Sequence, residues 1–416
     1  MVYSLDSRER CPEGWAVPMS VTAPAGFEAS AVAAGIKGSG NLDMALVSIV
    51  GGRPVPAAAT FTSNRAAAAP VLVSASHMAA TGGMTSGVLL TSGNANAATG
   101  AEGEDHAERL CRQVAESMGV IAAPGCHPGH HVLICQTGLI GVPFPVEKAS
   151  SSVGDLVKGR AGDAEHAAMA ARAIMTTDTV PKEVIVRTGA FTIGGMAKGA
   201  AMLAPNMATM LAMLTTDADA QPHELQEILR EAVSGTFNAM TVDGCTSTND
   251  TVVLMASGRA SGPAPSAEAL MAAVHEACAV LAHKMVDDAE GATKTALISV
   301  KGASSDEEAA RAARKVGESL LVKCSLNGED PYWGRIASEL GTAGIQFDMD
   351  QLSIFYGGTE VCKHGVSISY DTEAVAAHMR NRHIQIDCYL GLGTGTAEIL
   401  TTDLGYGYID ENRTTS

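Results

Sequence analysis

The stretch KGAAMLAPNMATMLAMLTTD, from Lys198 to Asp217, decides how the chain is read. Nearly every residue in it is small or apolar, yet Pro205-Asn206 interrupts the run and a hydroxyl residue, Thr209, stands where it resumes. From Thr209 to Thr216 apolar side chains fall on both alternating faces. A strand with one wet face alternates apolar and polar, so this pattern predicts a strand buried on both sides, with Thr209 as its first residue. Pro205-Asn206 carries the chemistry of a turn. Taken on its own, Thr209 is a β-favouring residue whose hydroxyl finds a backbone carbonyl.

Outward from this segment, helical and strand patterns alternate. Apolar residues at three- and four-residue spacing predict helices over Asp105–Met118, Asp163–Met175, His223–Val233, Ala267–Asp288 and Asp306–Val322. Short β-rich runs predict strands over Met44–Val50, Gly87–Thr91, Val132–Cys135, Val184–Arg187, Thr251–Met255, Ala296–Val300 and His383–Leu390. The mixture is α/β (mixed α+β), without a clean β-α-β repeat. No tandem repeat is visible, and SGPAPSAE (Ser261–Glu268) is a loop of low complexity.

Composition narrows the function classes. With 46% apolar and 18% charged residues over 416 positions, the chain can bury more than one core-sized unit. Aromatics are only 4%, so those cores must be built from Ala, Val, Leu, Ile and Met. The formal charge of −17 argues against nucleic acid or an anionic membrane as the main partner. Nine dispersed cysteines with no C-x-x-C pair suit a reducing compartment better than a disulfide framework. MVYSLDSRERCPEGW has no basic and apolar leader pattern, and no apolar run approaches the ~20 residues needed to span a bilayer. The expectation is a cytoplasmic protein.

Other constellations carry less. CHPGHH (Cys126–His131) holds metal-type ligands at close spacing, but the intervening Pro-Gly reads as a surface turn, and no metal site is expected. GLGTGT (Gly391–Thr396) lacks the lysine of a phosphate loop and reads as a tight turn between strands. Asp243 and Asp250 flank CTSTN without defining a carboxylate pair, so a loop network is the expectation there. Thr137-Gly138, in CQTGLIG (Cys135–Gly141), reads on its residues alone as a turn after a strand.

KGAAMLAPNMATML nevertheless resembles the signature of the ornithine acetyltransferase family, the bifunctional glutamate N-acetyltransferases of arginine biosynthesis. The resemblance extends in order through VTAPAGFEASAVAAGIK (Val21–Lys37), TSGNANAATG (Thr91–Gly100), CQTGLIG and AIMTTDTVPKE (Ala173–Glu183). It continues through TFNAMTVDGCTSTNDT (Thr236–Thr251), DAEGATK (Asp288–Lys294), DPYWGR (Asp330–Arg335) and TTDLGYGYIDEN (Thr401–Asn412), so it covers essentially the whole chain.

That resemblance implies a self-cleaving two-fragment fold with buried strands covered by helices. Cleavage falls between Ala208 and Thr209, giving an N-terminal fragment 1–208 with the oxyanion hole and a C-terminal fragment 209–416 that starts at the nucleophile. It further implies that Thr209 takes the acetyl group, that Thr137 and Gly138 form the oxyanion hole, and that Thr176, Lys198, Thr209, Glu290, Asn412 and Ser416 contact substrate. The chemistry is coherent. A threonine hydroxyl is a weak nucleophile without a base, and cleavage would free the Thr209 α-amine, with a reference pKa of about 8 against about 10.4 for lysine. The implied reaction is ping-pong transfer of acetyl from N-acetylornithine to glutamate. No cofactor is implied, acetyl-CoA remains open as an alternative donor, and assembly as two copies of each fragment is the expectation.

Some positions depart from the family pattern. Ala201 stands in place of Gly, Thr91 in place of Asn, and Tyr332 in place of Asn, which bears on substrate preference more than on the reaction. The tail after Asn412 is slightly short, so the terminal hydroxyl contact falls on Ser416 or Thr415. Two other functions stay open at this level. One is a hydrolase that releases acetate from acetylated amino acids, and the other an uncleaved, ligand-sensing relative.

Overall fold

The computed structural model describes residues 20–122, 124–203 and 210–413. Two compact units emerge: one holds the described residues up to 238 together with 245–285, the other holds 239–244 and 286 onward.

In the larger unit two sheets share one core. The four-stranded sheet runs in the order Phe27–Val32, Met44–Ile49, Gly87–Asn94, Val132–Leu139, its last pair parallel. The six-stranded sheet runs Met84–Thr85, Val55–Phe61, Thr251–Ala256, Leu211–Thr216, Thr192–Lys198, Lys182–Arg187. Alternate residues of both meet in the core. Ala45, Val47, Val88, Leu90, Leu133 and Cys135 from the first face Met196, Leu211, Met213, Val253 and Met255 from the second. The opposite face of the first sheet, with Met44, Leu46, Leu89, Val132 and Ile134, is covered by the helices Gly100–Met118 and Val146–Lys158. Outside the second sheet lie Pro222–Gly235, whose Gln226 side chain bonds both backbone groups of Ala59, and Ala267–Asp287. The order is helix, sheet, sheet, helix. This is the buried-strand, helix-covered α/β architecture expected.

The deciding segment behaves as its pattern requires. Leu211–Thr216 is buried at every residue and sits between two neighbours, parallel to Thr251–Ala256 and antiparallel to Thr192–Lys198. Thr209, expected to open this strand, lies outside the described residues, as does Ala208. Burying side chains such as Leu211, Met213 and Leu214 contributes about 1.5–3 kcal/mol each. Gly195 lets the layers close, since a Cβ there would meet Leu214 Cδ2 at 2.6 Å and Leu281 of the outer helix at 3.3 Å. The fragment boundary expected at 208/209 would therefore not separate compact units. A chain cut there would keep strands of both fragments hydrogen-bonded in one sheet.

The smaller unit is built on a seven-stranded sheet, ordered Met240–Thr241, Gly395–Thr402, Thr295–Ala303, His383–Tyr389, Ser353–Tyr356, Thr359–Lys363, Val366–Ser367. The helices Asp306–Gly317, Trp333–Leu340 and Thr372–Met379 pack on it.

Two expectations need correction. The helix expected over Asp306–Val322 ends at Gly317, and a second runs Leu320–Asn327. Between them Ser319 is extended, and its hydroxyl accepts from the Val322 N–H, which starts the second helix. The helix Ala267–Asp287, 21 residues long, does have the length and composition of a membrane span. Its apolar row, Leu270, Val274, Cys278, Leu281 and Met285, is buried in the protein, so it is a core helix.

Candidate functional site

Thr137 and Gly138 do not form a turn. They lie within the strand Val132–Leu139, where the pairing register breaks: Asn94 faces both Thr137 and Leu139. Such a bulge re-aims the chain locally. It requires glycine, because Gly138 has φ +130° and a Cβ would sit 2.3 Å from the Gly93 carbonyl carbon. Thr137 continues the inward row of Leu133 and Cys135, and Lys198 continues the inward row of Met196 on the facing sheet. The two rows meet where the apolar core ends. Lys198 Nζ donates to Thr137 Oγ1 at 3.3 Å, and both side chains are buried. A hydroxyl that accepts from an ammonium keeps its own hydrogen free to point at developing negative charge.

Beside them Asp178 organises the approach. Its Oδ1 accepts from Lys182 Nζ at 2.5 Å and from the Gly199 N–H at 2.8 Å, while Oδ2 accepts from the Thr176 N–H at 2.9 Å. Burial alone would raise its pKa. The Lys198 and Lys182 ammonium groups and the Gly199 N–H outweigh that, drawing it down to about 2. Thr176 and Lys198 are thus tied through one carboxylate. Lys37 lies near enough to feel Asp43, Asp178 and Lys198, and burial is the main reason its pKa is lowered.

A polar chain crosses between the sheets behind this point. Asn249 Nδ2 donates to the Ala95 carbonyl at 2.6 Å and to the Gln136 carbonyl at 2.9 Å. The Gln136 side chain donates to Thr91 Oγ1 and accepts from Asn96 Nδ2. Thr91, a departure from the family pattern, is therefore part of the support for the Thr137 strand. Asp250 Oδ1 accepts from the Met210 N–H at 2.8 Å. Asp178, Lys182, Lys37, Asn249 and the role of Asp250 were missed from sequence. A polar pair, Asn249-Asp250, placed directly before the buried strand Thr251–Ala256 was the available signal, since buried polar groups need partners.

In the smaller unit Asn412 Nδ2 donates to Glu290 Oε2 at 2.7 Å. Glu290 is buried, and the loop that carries it is held by Asp403, which accepts from the Thr293 and Lys294 N–H groups. Gly291 and Gly407 touch so closely that a Cβ on Gly291 would lie 2.1 Å from the Tyr408 nitrogen. Glu290 and Asn412 are thus brought together, as Thr137, Lys198 and Thr176 are in the larger unit. Ala208, Thr209, Thr415 and Ser416 lie outside the described residues. Tyr332 is 56% exposed, with the Arg335 guanidinium 5.8 Å from its ring centre, a surface arrangement. Nothing in the structure explains Ala201.

Among the described residues no group of three His, Cys, Asp or Glu side chains could hold a metal ion. Within CHPGHH, Pro128–His131 forms a short 3-10 helix and His127 accepts from the Gly129 N–H. Asp243 accepts from the Tyr408 hydroxyl in the smaller unit, whereas Asp250 belongs to the larger one.

The ArgJ family model matches residues 28–414. The arginine biosynthesis bifunctional protein ArgJ of Streptomyces avermitilis is 45% identical over 395 residues, covering 95% of this chain and 99% of that one. Its counterpart in Mycobacterium tuberculosis H37Rv is 43% identical over 394 residues, covering 94% and 95%. A crystal structure of ornithine acetyltransferase complexed with ornithine, also from M. tuberculosis, matches at 42% identity and TM-score 0.41. It covers 45% of this chain and 94% of that chain.

Proposed function

The chain belongs to the ArgJ family, and from that membership we propose that it transfers acetyl from N2-acetylornithine to glutamate, yielding ornithine and N-acetylglutamate in arginine biosynthesis. The observation that carries the reading is the family match over residues 28–414, with the PNMATM signature intact. Self-cleavage between Ala208 and Thr209 leaves Thr209 as an N-terminal nucleophile, its α-amine acting as base. The Thr209 hydroxyl adds to the acetyl carbonyl, and charge grows on that oxygen. Thr137 and Gly138 stabilise it. Ornithine leaves as the amine, glutamate enters, and its α-amine takes the acetyl group from Thr209. Lys198 serves the substrate carboxylate, and Thr176 and Glu290 with Asn412 and Ser416 complete the contacts.

The reaction as proposed uses no cofactor, and acetyl-CoA is an alternative acetyl donor. The enzyme works in the cytoplasm as two N-terminal and two C-terminal fragments, without nucleic acid or membrane. The deciding experiment follows acetyl transfer in purified protein. N-acetylornithine consumed only with glutamate present, giving N-acetylglutamate one for one, supports the transferase. Free acetate released without glutamate makes it a hydrolase, and binding without turnover makes it a sensor.

A smaller test addresses the oxyanion site. Thr137→Val removes the hydroxyl while keeping the shape, so kcat is expected to fall by about 10²–10³-fold with KM little changed. Steady-state kinetics with both substrates read this directly. An unchanged kcat removes Thr137 from the mechanism.

A further inference from the structure

Met210 is held by its backbone in an unusual way. Its N–H, which belongs to the peptide group that begins at the Thr209 carbonyl, is taken by a side chain, Asp250 Oδ1, at 2.8 Å. Its C=O accepts from the N–H of the next residue along, Thr251, at 3.2 Å. Consecutive residues therefore clamp both sides of Met210. Asp250 is itself fixed, since its carbonyl accepts from the Thr62 N–H at 2.9 Å. Its sequence neighbour Asn249 reaches the other sheet and binds the carbonyls of Ala95 and Gln136. Gln136 directly precedes Thr137. One short polar segment thus connects the strand that carries Thr137 to the peptide group that follows Thr209.

A second observation marks Asp250. It is 1% exposed, and its Oδ2 has no hydrogen-bond partner among the described residues. Leaving a polar atom buried without a protein partner costs stability. An ordinary ladder hydrogen bond would have satisfied Met210 without that cost.

We infer that Asn249-Asp250 is a positioning device: it sets the separation between the strand that carries Thr137 and the Met210 amide, with Asp250 the member that fixes that amide. This rests on the reading of Thr209 as nucleophile. Asp250 acts through the Met210 amide and not on substrate. Burial pushes its carboxyl well above the usual range, with the Met210 N–H and then the Lys198 charge opposing most. A neutral acceptor is therefore sufficient, and asparagine should replace it.

The test compares Asp250→Asn, Asp250→Ala and Asp250→Glu in the full chain. Readouts are kcat, the KM for N-acetylornithine and for glutamate, denatured mass and thermal midpoint. Asparagine retains the acceptor and is expected to keep kcat within about threefold. Alanine removes the acceptor and glutamate displaces it, so both should lose roughly 10²-fold in kcat while KM stays within a few-fold. If alanine does not fold, the order of the other two carries the test, because acid chemistry would favour glutamate and placement favours asparagine. Full kcat in Asp250→Ala, or equal loss in Asp250→Asn and Asp250→Ala, overturns the inference. Thr209→Ala run alongside separates the two readings. Activity retained there overturns the Thr209 reading and this inference with it; activity lost there but kept in Asp250→Ala overturns the inference alone.

Discussion

Thr209→Ala protein is expected to remain one full-length polypeptide and to lose acetyl exchange by about 10⁴-fold or more. The argument is chemical. On the proposed mechanism cleavage and transfer use the same hydroxyl: in the first it would add to the Ala208 carbonyl, and in the second to the acetyl carbonyl of the donor. Removing it removes both steps. Wild-type protein is expected to give two fragments of equal length, which share one band on a gel and separate only by mass spectrometry.

Thr209→Ser refines this result. Serine keeps the hydroxyl and, once cut, the adjacent amine, so cleavage should persist and transfer should be retained in part. The methyl of threonine restricts rotation about the Cα–Cβ bond, and its loss should lower kcat more than it raises KM. Full activity in an uncut wild-type chain would overturn the N-terminal mechanism outright. The sheet bears on what cleavage does to the structure. Leu211–Thr216 lies between a neighbour from before the cut, Thr192–Lys198, and one from after it, Thr251–Ala256, so the fragments should stay associated until the larger unit unfolds.

How much of this was legible in the sequence depends on how local each cause is. Leu211–Thr216 was readable because burial on both faces writes itself into consecutive residues. The strand–helix content followed for the same reason. Thr137-Gly138 was misread as a turn, because the bulge depends on Gly93 and Asn94 of another strand, some forty positions away in the chain. The break after Gly317 was missed because Glu318 is compatible with a helix and only Ser319, as a cap, marks the restart. The links from Asn249 to Ala95 and Gln136, and from Asp250 to Met210, join segments distant in sequence. Family resemblance pointed to the residues expected to touch substrate, but not to those that hold them.

Asp178 is the position outside the reacting atoms where substitution should cost most. The Asp178 and Lys182 side chains form an ion pair from which solvent is excluded, both 0% exposed. Taking away the carboxylate leaves the Lys182 ammonium in the interior without it, and breaking such a pair typically costs about 3–5 kcal/mol. Asp178→Ala should therefore lower the thermal midpoint markedly and raise KM, since the Gly199 N–H and the Thr176 N–H lose their shared acceptor beside Lys198. Thermal melts and steady-state kinetics check both. The double variant Asp178→Leu with Lys182→Met separates stability from function: with the Lys182 charge removed together with its partner, part of the stability should return while the raised KM remains. Titration gives an independent sign. The carboxyl has a folded pKa of about 2, below its ordinary value near 3.8, so its contribution of about 2 kcal/mol is present above pH ~3.8 and lost as pH falls through ~2. The stability gap between wild type and the double variant should shrink over that acid range and stay flat from pH 5 to 7. A gap that does not change on acidification would mean that Asp178 holds its partners as a neutral hydrogen-bond acceptor, and the ion-pair account of the site would fall.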